Sequence, residues 1–187
     1  MALNQQSYRA LQLLSRLPKT GLPVTAAGAT PRRAGLGPAG GATATVGNVD
    51  AIAAIDASLG TTVALVALVT NFNLNIADTE DPTKGLPIAT EAGVTVKWTL
   101  PAGAVASPSG SVILIDNTHA WAKPAWLAAG SPLYPNASQI AAEMAASALV
   151  ELPLAVTLAG ATASVTLPDL VPYAVAFVRV EYAVAAA

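Results

Sequence analysis

Side chains able to do chemistry are concentrated between Ile113 and Val150. That stretch holds the sole histidine, His119, two of the three tryptophans, Trp121 and Trp126, and Asp116 three residues ahead of the histidine. His119 is the one side chain suited to taking a proton near neutral pH, and with Asp116 and Ser131 it makes a nucleophile–base–acid set conceivable on paper. No G-x-S-x-G motif supports that set, and a lone loop histidine more often makes a structural hydrogen bond. One histidine and no cysteine exclude a zinc site. Asp78, Glu80 and Asp81 form the densest acid cluster, but they lack the D-x-D-x-D-G order of a calcium loop and read as a solvated turn. They do not read as a glycosidase pair either, since two such carboxylates must face each other about 5–10 Å apart across a sugar. The glycine-rich run at 35–41 follows no strand and precedes no helix, so it cannot cradle a phosphate. No cofactor or metal is expected. Trp121, Trp126 and Tyr134 are candidates for stacking on a sugar ring. In a loop bearing Pro and Gly, packing is the stronger reading of these aromatics.

The elements that would position these residues follow from periodicity. Asn4 can cap a helix running to about Leu17, with Tyr8, Leu11, Leu14 and Leu17 as its apolar stripe and Ala10 and Leu13 beside it. Pro18 and Gly21 end it. From Thr20 to Gly47, Gly, Ala, Pro and Thr dominate without periodicity, which reads as a linker or long loop. Strands are then expected over Val49–Ala57, Thr62–Asn71, Gly93–Leu100 and Ser111–Asp116. The Val-rich run of Thr62–Asn71 suggests burial on both faces, whereas Val94, Val96 and Trp98 alternate with Thr95, Lys97 and Thr99. Asn117–Pro135 reads as a loop, and Asn136 or Ser138 caps a helix from about Ala137 to Leu149, with Ile140, Met144, Ser147 and Ala148 along one side. Leu154–Leu158, Ala163–Leu167 and Tyr173–Tyr182 close the chain as strands. The fold class is mostly β: an antiparallel β-sandwich with one inserted helix and an N-terminal helix. The expected division is an N-terminal helix at 1–20, a linker at 21–47 and a sandwich domain at 48–187.

Composition narrows the function classes. Hydrophobic residues make up 53% of the 187 positions and charged residues 11%, which suits a packed core of small and β-branched side chains. No apolar run is long enough to span a bilayer. Residues 1–49 carry Arg9, Arg16, Lys19, Arg32 and Arg33 and no acid, whereas the remainder holds all eleven acids. Such a start has the composition of an organelle transit peptide, although a basic helix at a domain edge is the plainer reading. No continuous apolar segment marks a secretory signal, and the compartment stays open. The basic residues are too few and scattered for nucleic-acid binding.

The stretch IDNTHAWAKPAWLAAGSPLYPNASQIAAEMAASALVELPL resembles the carboxyl-terminal region of glycoside hydrolase family 39, the β-xylosidase and α-L-iduronidase family. The matching positions are Ile115, Asp116, His119, Trp126, Gly130, Pro132, Tyr134 and Pro135, in that order. Ala10–Val24 is similar to the last helix of the family's catalytic barrel and its exit. Thr61–Asn73 is similar to the first strands of the following sandwich, and VTLPDLVPYAVAFVRVEY to its final strands. The resemblance covers most of the chain except 28–47. It implies an accessory β-sandwich in which Asp116, His119, Gly130 and Pro132 are a structural signature. The family's two catalytic glutamates sit on a (β/α)8 barrel, a unit of about 200 residues or more. No glutamate here lies on a segment matching those barrel motifs, so none is assigned a catalytic role. The implied partner is a catalytic barrel, or another protein, docked on the N-terminal helix. The alternatives are a carbohydrate-binding module using Trp121, Trp126 and Tyr134, or a protein-interaction domain docking through its N-terminal helix.

Overall fold

The computed structural model describes residues 3–22, 24–27, 42–45, 49–59, 61–71, 90–100 and 104–184. In chain order the elements are α1 (Leu3–Ser15), β1 (Thr20–Leu22), β2 (Val24–Ala27), β3 (Ala42–Thr45), β4 (Val49–Leu59), β5 (Thr62–Asn71), β6 (Thr95–Thr99), β7 (Ala104–Ile115), α2 (Lys123–Ala128), α3 (Ala137–Ala146), β8 (Glu151–Leu154), β9 (Val156–Ala159), β10 (Thr162–Thr166) and β11 (Val175–Val184). The strands form two sheets, one of six strands in the order β1-β4-β5-β11-β7-β8 and one of five in the order β2-β3-β6-β10-β9. The pairing is antiparallel apart from β2 with β3, which run parallel. The chain is therefore mostly β and folds as a β-sandwich with helices on one outer face.

The ends of the two sheets are linked in sequence. β1 edges the six-stranded sheet and β2 the five-stranded one, with one residue between them. At the far side β8 and β9 do the same across Ala155. Each edge is thus a single segment that leaves one sheet and enters the other, which leaves little open strand edge. Gly110, paired with Leu154 at the second corner, makes that crossing feasible. A Cβ there would sit 2.6 Å from both the Leu154 carbonyl oxygen and Val156 Cγ2.

Between the sheets, alternate residues of each strand form the main core. Val63, Leu65, Ala67 and Val69 of β5 meet Val94, Val96 and Trp98, together with Val112, Leu114, Val165, Val178 and Val180. Removing each of these Val and Leu side chains from water contributes about 1.5–3 kcal/mol. The other face of β5 is apolar too, and Ala64, Val66 and Leu68 join Ile113, Ile115 and Phe177 in a second cluster covered by Leu13 of α1. Double coverage is why Thr62–Asn71 reads as one unbroken Val-rich run, and the observed strand has the expected bounds.

Several expectations need correction. The stretch read as linker contributes the three short strands β1, β2 and β3, and its residues 23, 28–41 and 46–47 lie outside the described set. Tertiary pairing holds these strands, since Ala, Thr and Gly have little strand preference of their own. The stripe Tyr8–Leu11–Leu14–Leu17 is not the packed side of α1. Leu13 is fully buried, with Ala10 and Leu17 beside it, whereas Tyr8, Leu11 and Leu14 are 59%, 62% and 43% exposed. The reason is geometric. At about 100° per residue a repeat of three drifts roughly 60° per step around the helix, which carries Tyr8, Leu11 and Leu14 round the side away from Leu13, and Leu17, just beyond the helix end, returns to the sheet. The run expected as one strand over Leu154–Leu158 is split between β8 and β9 in different sheets. The insertion holds two helices rather than one. In α3, Ile140 and Met144 face solvent, and burial is confined to Ser147 just beyond its end.

Candidate functional site

β7 ends at Ile115, and its next residue, Asp116, organises the turn that follows. Asp116 Oδ1 accepts hydrogen bonds from the Thr118 N–H at 2.7 Å, the Thr118 hydroxyl at 2.8 Å and the His119 N–H at 2.7 Å. His119 Nδ1 lies 2.9 Å from Asp116 Oδ2, so this nitrogen carries the ring proton and donates it to the carboxylate. The Asp116 N–H closes the turn by donating to the His119 carbonyl at 3.1 Å. Burial pushes the Asp116 carboxyl up, but the hydrogen bonds from Thr118 and His119 together outweigh it and hold the carboxyl below its ordinary value. The turn then delivers Ala120, in the left-handed region at φ 52°, into the outer core cluster.

Asp116 is bonded within its own turn, whereas the His119 side chain is 43% exposed. The Asp116 side chain is 8% exposed, and its Oδ1, bonded to Thr118 and His119, faces the backbone of its own turn. Among the described residues the His119 ring bonds to Asp116 and Thr118 and not to Ser131. Ser131 is used differently. Its N–H donates to the Trp126 carbonyl at 3.0 Å, and it adopts φ 54° next to Gly130 at φ 84°. These two left-handed residues end α2 in the manner of a Schellman motif, which explains the glycine. The Trp126 indole donates to the Pro132 carbonyl at 3.2 Å, so the helix, the Gly130 turn and Pro132 are fastened together. Asn136 then starts α3 with a capping box. Its side chain accepts from the Gln139 N–H at 3.0 Å, and the Gln139 side chain accepts from the Asn136 N–H at 2.9 Å.

The candidate aromatics occupy different settings. Trp121 precedes α2, half-buried, with Lys123 Nζ 5.8 Å from its ring centroid. Trp126 is half-buried on α2, and Tyr134, in the turn ahead of α3, is 88% exposed. The acids Asp78, Glu80 and Asp81 lie outside the described residues. No described helix is long and apolar enough to cross a membrane.

One feature escaped the sequence reading: Asn71, a buried amide whose Nδ2 donates to the carbonyls of Leu170 at 2.8 Å and Val171 at 3.2 Å, tying the end of β5 to the loop before β11. A polar residue closing an apolar run was its only signal. Tyr8, Leu11 and Leu14, expected as an apolar stripe of the N-terminal helix, form an exposed ridge on α1, whose opposite side packs on the sheet.

No protein-family model and no curated protein matches the chain. Among solved structures it is similar to a GH39 enzyme from Xanthomonas axonopodis pv. citri, at 20% identity over 70% of this chain and 25% of that one, with a TM-score of 0.47. It is also similar to a monomeric beta-xylosidase from Caulobacter crescentus CB15, at 18% identity over 70% of this chain and 26% of that one, with a TM-score of 0.40. The chain spans about a quarter of the length of these two structures.

Proposed function

We propose that this chain is the accessory, non-catalytic β-sandwich of a family 39-like glycoside hydrolase, seated against a catalytic barrel through α1. The barrel would lie on the same or another polypeptide. The observation that carries the reading is the two-sided helix: α1 packs Leu13 on the sandwich yet leaves Tyr8, Leu11 and Leu14 exposed. A helix between two units needs an apolar surface on both sides. The sequence resemblance supports the same reading, because it matches this helix to the last helix of a barrel. The bonding of Asp116 and His119 supports a structural role for both.

Two measurements test this. The purified chain is expected to give no hydrolysis of aryl xylosides or iduronides; turnover abolished by Asp116→Asn or His119→Ala would overturn the non-catalytic role. Leu11→Asp is expected to weaken association with a family 39-like barrel while leaving the sandwich folded. The carbohydrate-binding alternative has one observation in its favour, the exposed ring of Tyr134. It requires xylan binding that falls when Trp121, Trp126 and Tyr134 are changed to Ala, and binding indifferent to those changes would dismiss it.

A further inference from the structure

Two buried polar atoms of the inter-sheet core have no hydrogen-bond partner among the described residues: Nε1 of Trp98 and the hydroxyl of Tyr182. Their residues are 1% and 2% exposed and belong to one apolar cluster. They approach from opposite sheets, Trp98 on β6 and Tyr182 on β11.

Register places both at the same end of the interior. In the six-stranded sheet Gly110 pairs with both Val180 and Leu154. In the five-stranded sheet Val165 pairs with both Val156 and Val96. Because β8 runs on into β9 through Ala155, the level of Val180 adjoins the level of Val96. Tyr182 and Trp98 each stand two residues further along, in the direction in which β8 and β9 run. Packed sheets are about 10 Å apart, and side chains as long as an indole and a phenol reach the middle of that gap. Val63, which pairs with Tyr182, and Ala163, which pairs with Trp98, carry no polar side chain.

We propose that this end of the sandwich interior is a hydrated site, in which one ordered water accepts the Trp98 indole N–H and bonds the Tyr182 hydroxyl, linking the two sheets. An indole N–H can only donate, so its partner must be an oxygen. A water can accept that bond and still serve a phenol, and buried waters in proteins commonly hold two to four polar partners. Burial pushes the Tyr182 hydroxyl up from its ordinary value, which keeps it neutral.

The direct test is an NMR experiment on the intact chain that looks for a cross-peak between the Trp98 indole proton and a long-lived water. The cross-peak is expected, and its absence would overturn the site. Tyr182→Phe removes one oxygen and keeps the ring. It is expected to weaken the cross-peak and lower Tm by a few degrees, because the water loses a partner. An unchanged or raised Tm would mean that the hydroxyl sits dry, and would overturn the proposal. If the variant does not fold, the cross-peak of the unaltered chain decides.

Discussion

The two faces of the six-stranded sheet are built differently. The inner face meets a second sheet, its side chains are buried, and strands that cross between sheets join it to that sheet at both edges. The outer face is only partly covered. Leu13, Ala120 and Leu149 lie on it, but Ile52 of β4 is 54% exposed, and the apolar ridge of α1 faces away. The α2–α3 insertion has no buried residue within either helix and exposes Leu127, Ile140 and Met144. The inner face therefore accounts for the fold, and the outer face carries apolar surface beyond what the fold uses. That surplus is what a docking surface requires.

Substitutions can sharpen or break this contrast. The largest effect is expected at Leu65, 2% exposed in the inner core, where Leu65→Ala should cost about 2–5 kcal/mol in denaturant unfolding. Gly110→Ala should follow with about 1–3 kcal/mol, because its Cβ would press on the Leu154 carbonyl and force the second corner open. Full stability in that variant would show that the corner is not tight. Asp116→Ala should cost about 1–2 kcal/mol by freeing the Thr118 and His119 donors. The pH dependence has a definite sign. The folded-state carboxyl lies below its ordinary value of 3.8, so its contribution is present above that value and is lost as pH falls through the lower folded-state value. Asp116→Ala should therefore flatten the acid limb of the stability curve.

Tyr173→Gly is expected to move the other way. Tyr173 holds φ 65° at the third position of a turn that begins at Val171, follows Pro172 and closes with the Ala174 N–H on the Val171 carbonyl at 3.0 Å. Glycine adopts that conformation without strain, and a gain of about 1 kcal/mol is expected. The smallest effect belongs to the outer ridge. Leu11→Ala should change the stability of the isolated chain by no more than about 0.5 kcal/mol, and a loss comparable to Leu65→Ala would refute the distinction between the faces.

Legibility in the sequence followed the same division. Strands buried on alternating or both faces could be read, as Val94–Trp98 and Thr62–Asn71 show. The side of α1 that packs could not, because periodicity reports where apolar residues fall and not which of two apolar sides meets the sheet. The crossings at β1–β2 and β8–β9 were hidden for a related reason. A change of sheet is a property of pairing partners far away in sequence, and Ala155 carries no turn signature. The structural use of Asp116 was partly visible, since an Asp that precedes Thr and His by two and three residues is placed to accept their backbone N–H groups. The tie between Trp126 and Pro132 depended on a side chain folding back over six residues, which spacing alone does not encode.

The most direct measurement is a calorimetric titration of this chain into a family 39-like barrel stripped of its own sandwich, with Leu11→Asp as the comparison. The account predicts saturable one-to-one binding that weakens by at least about tenfold in the variant, while thermal unfolding of the variant alone matches that of the unaltered chain. Absence of binding, or binding indifferent to Leu11, would contradict it.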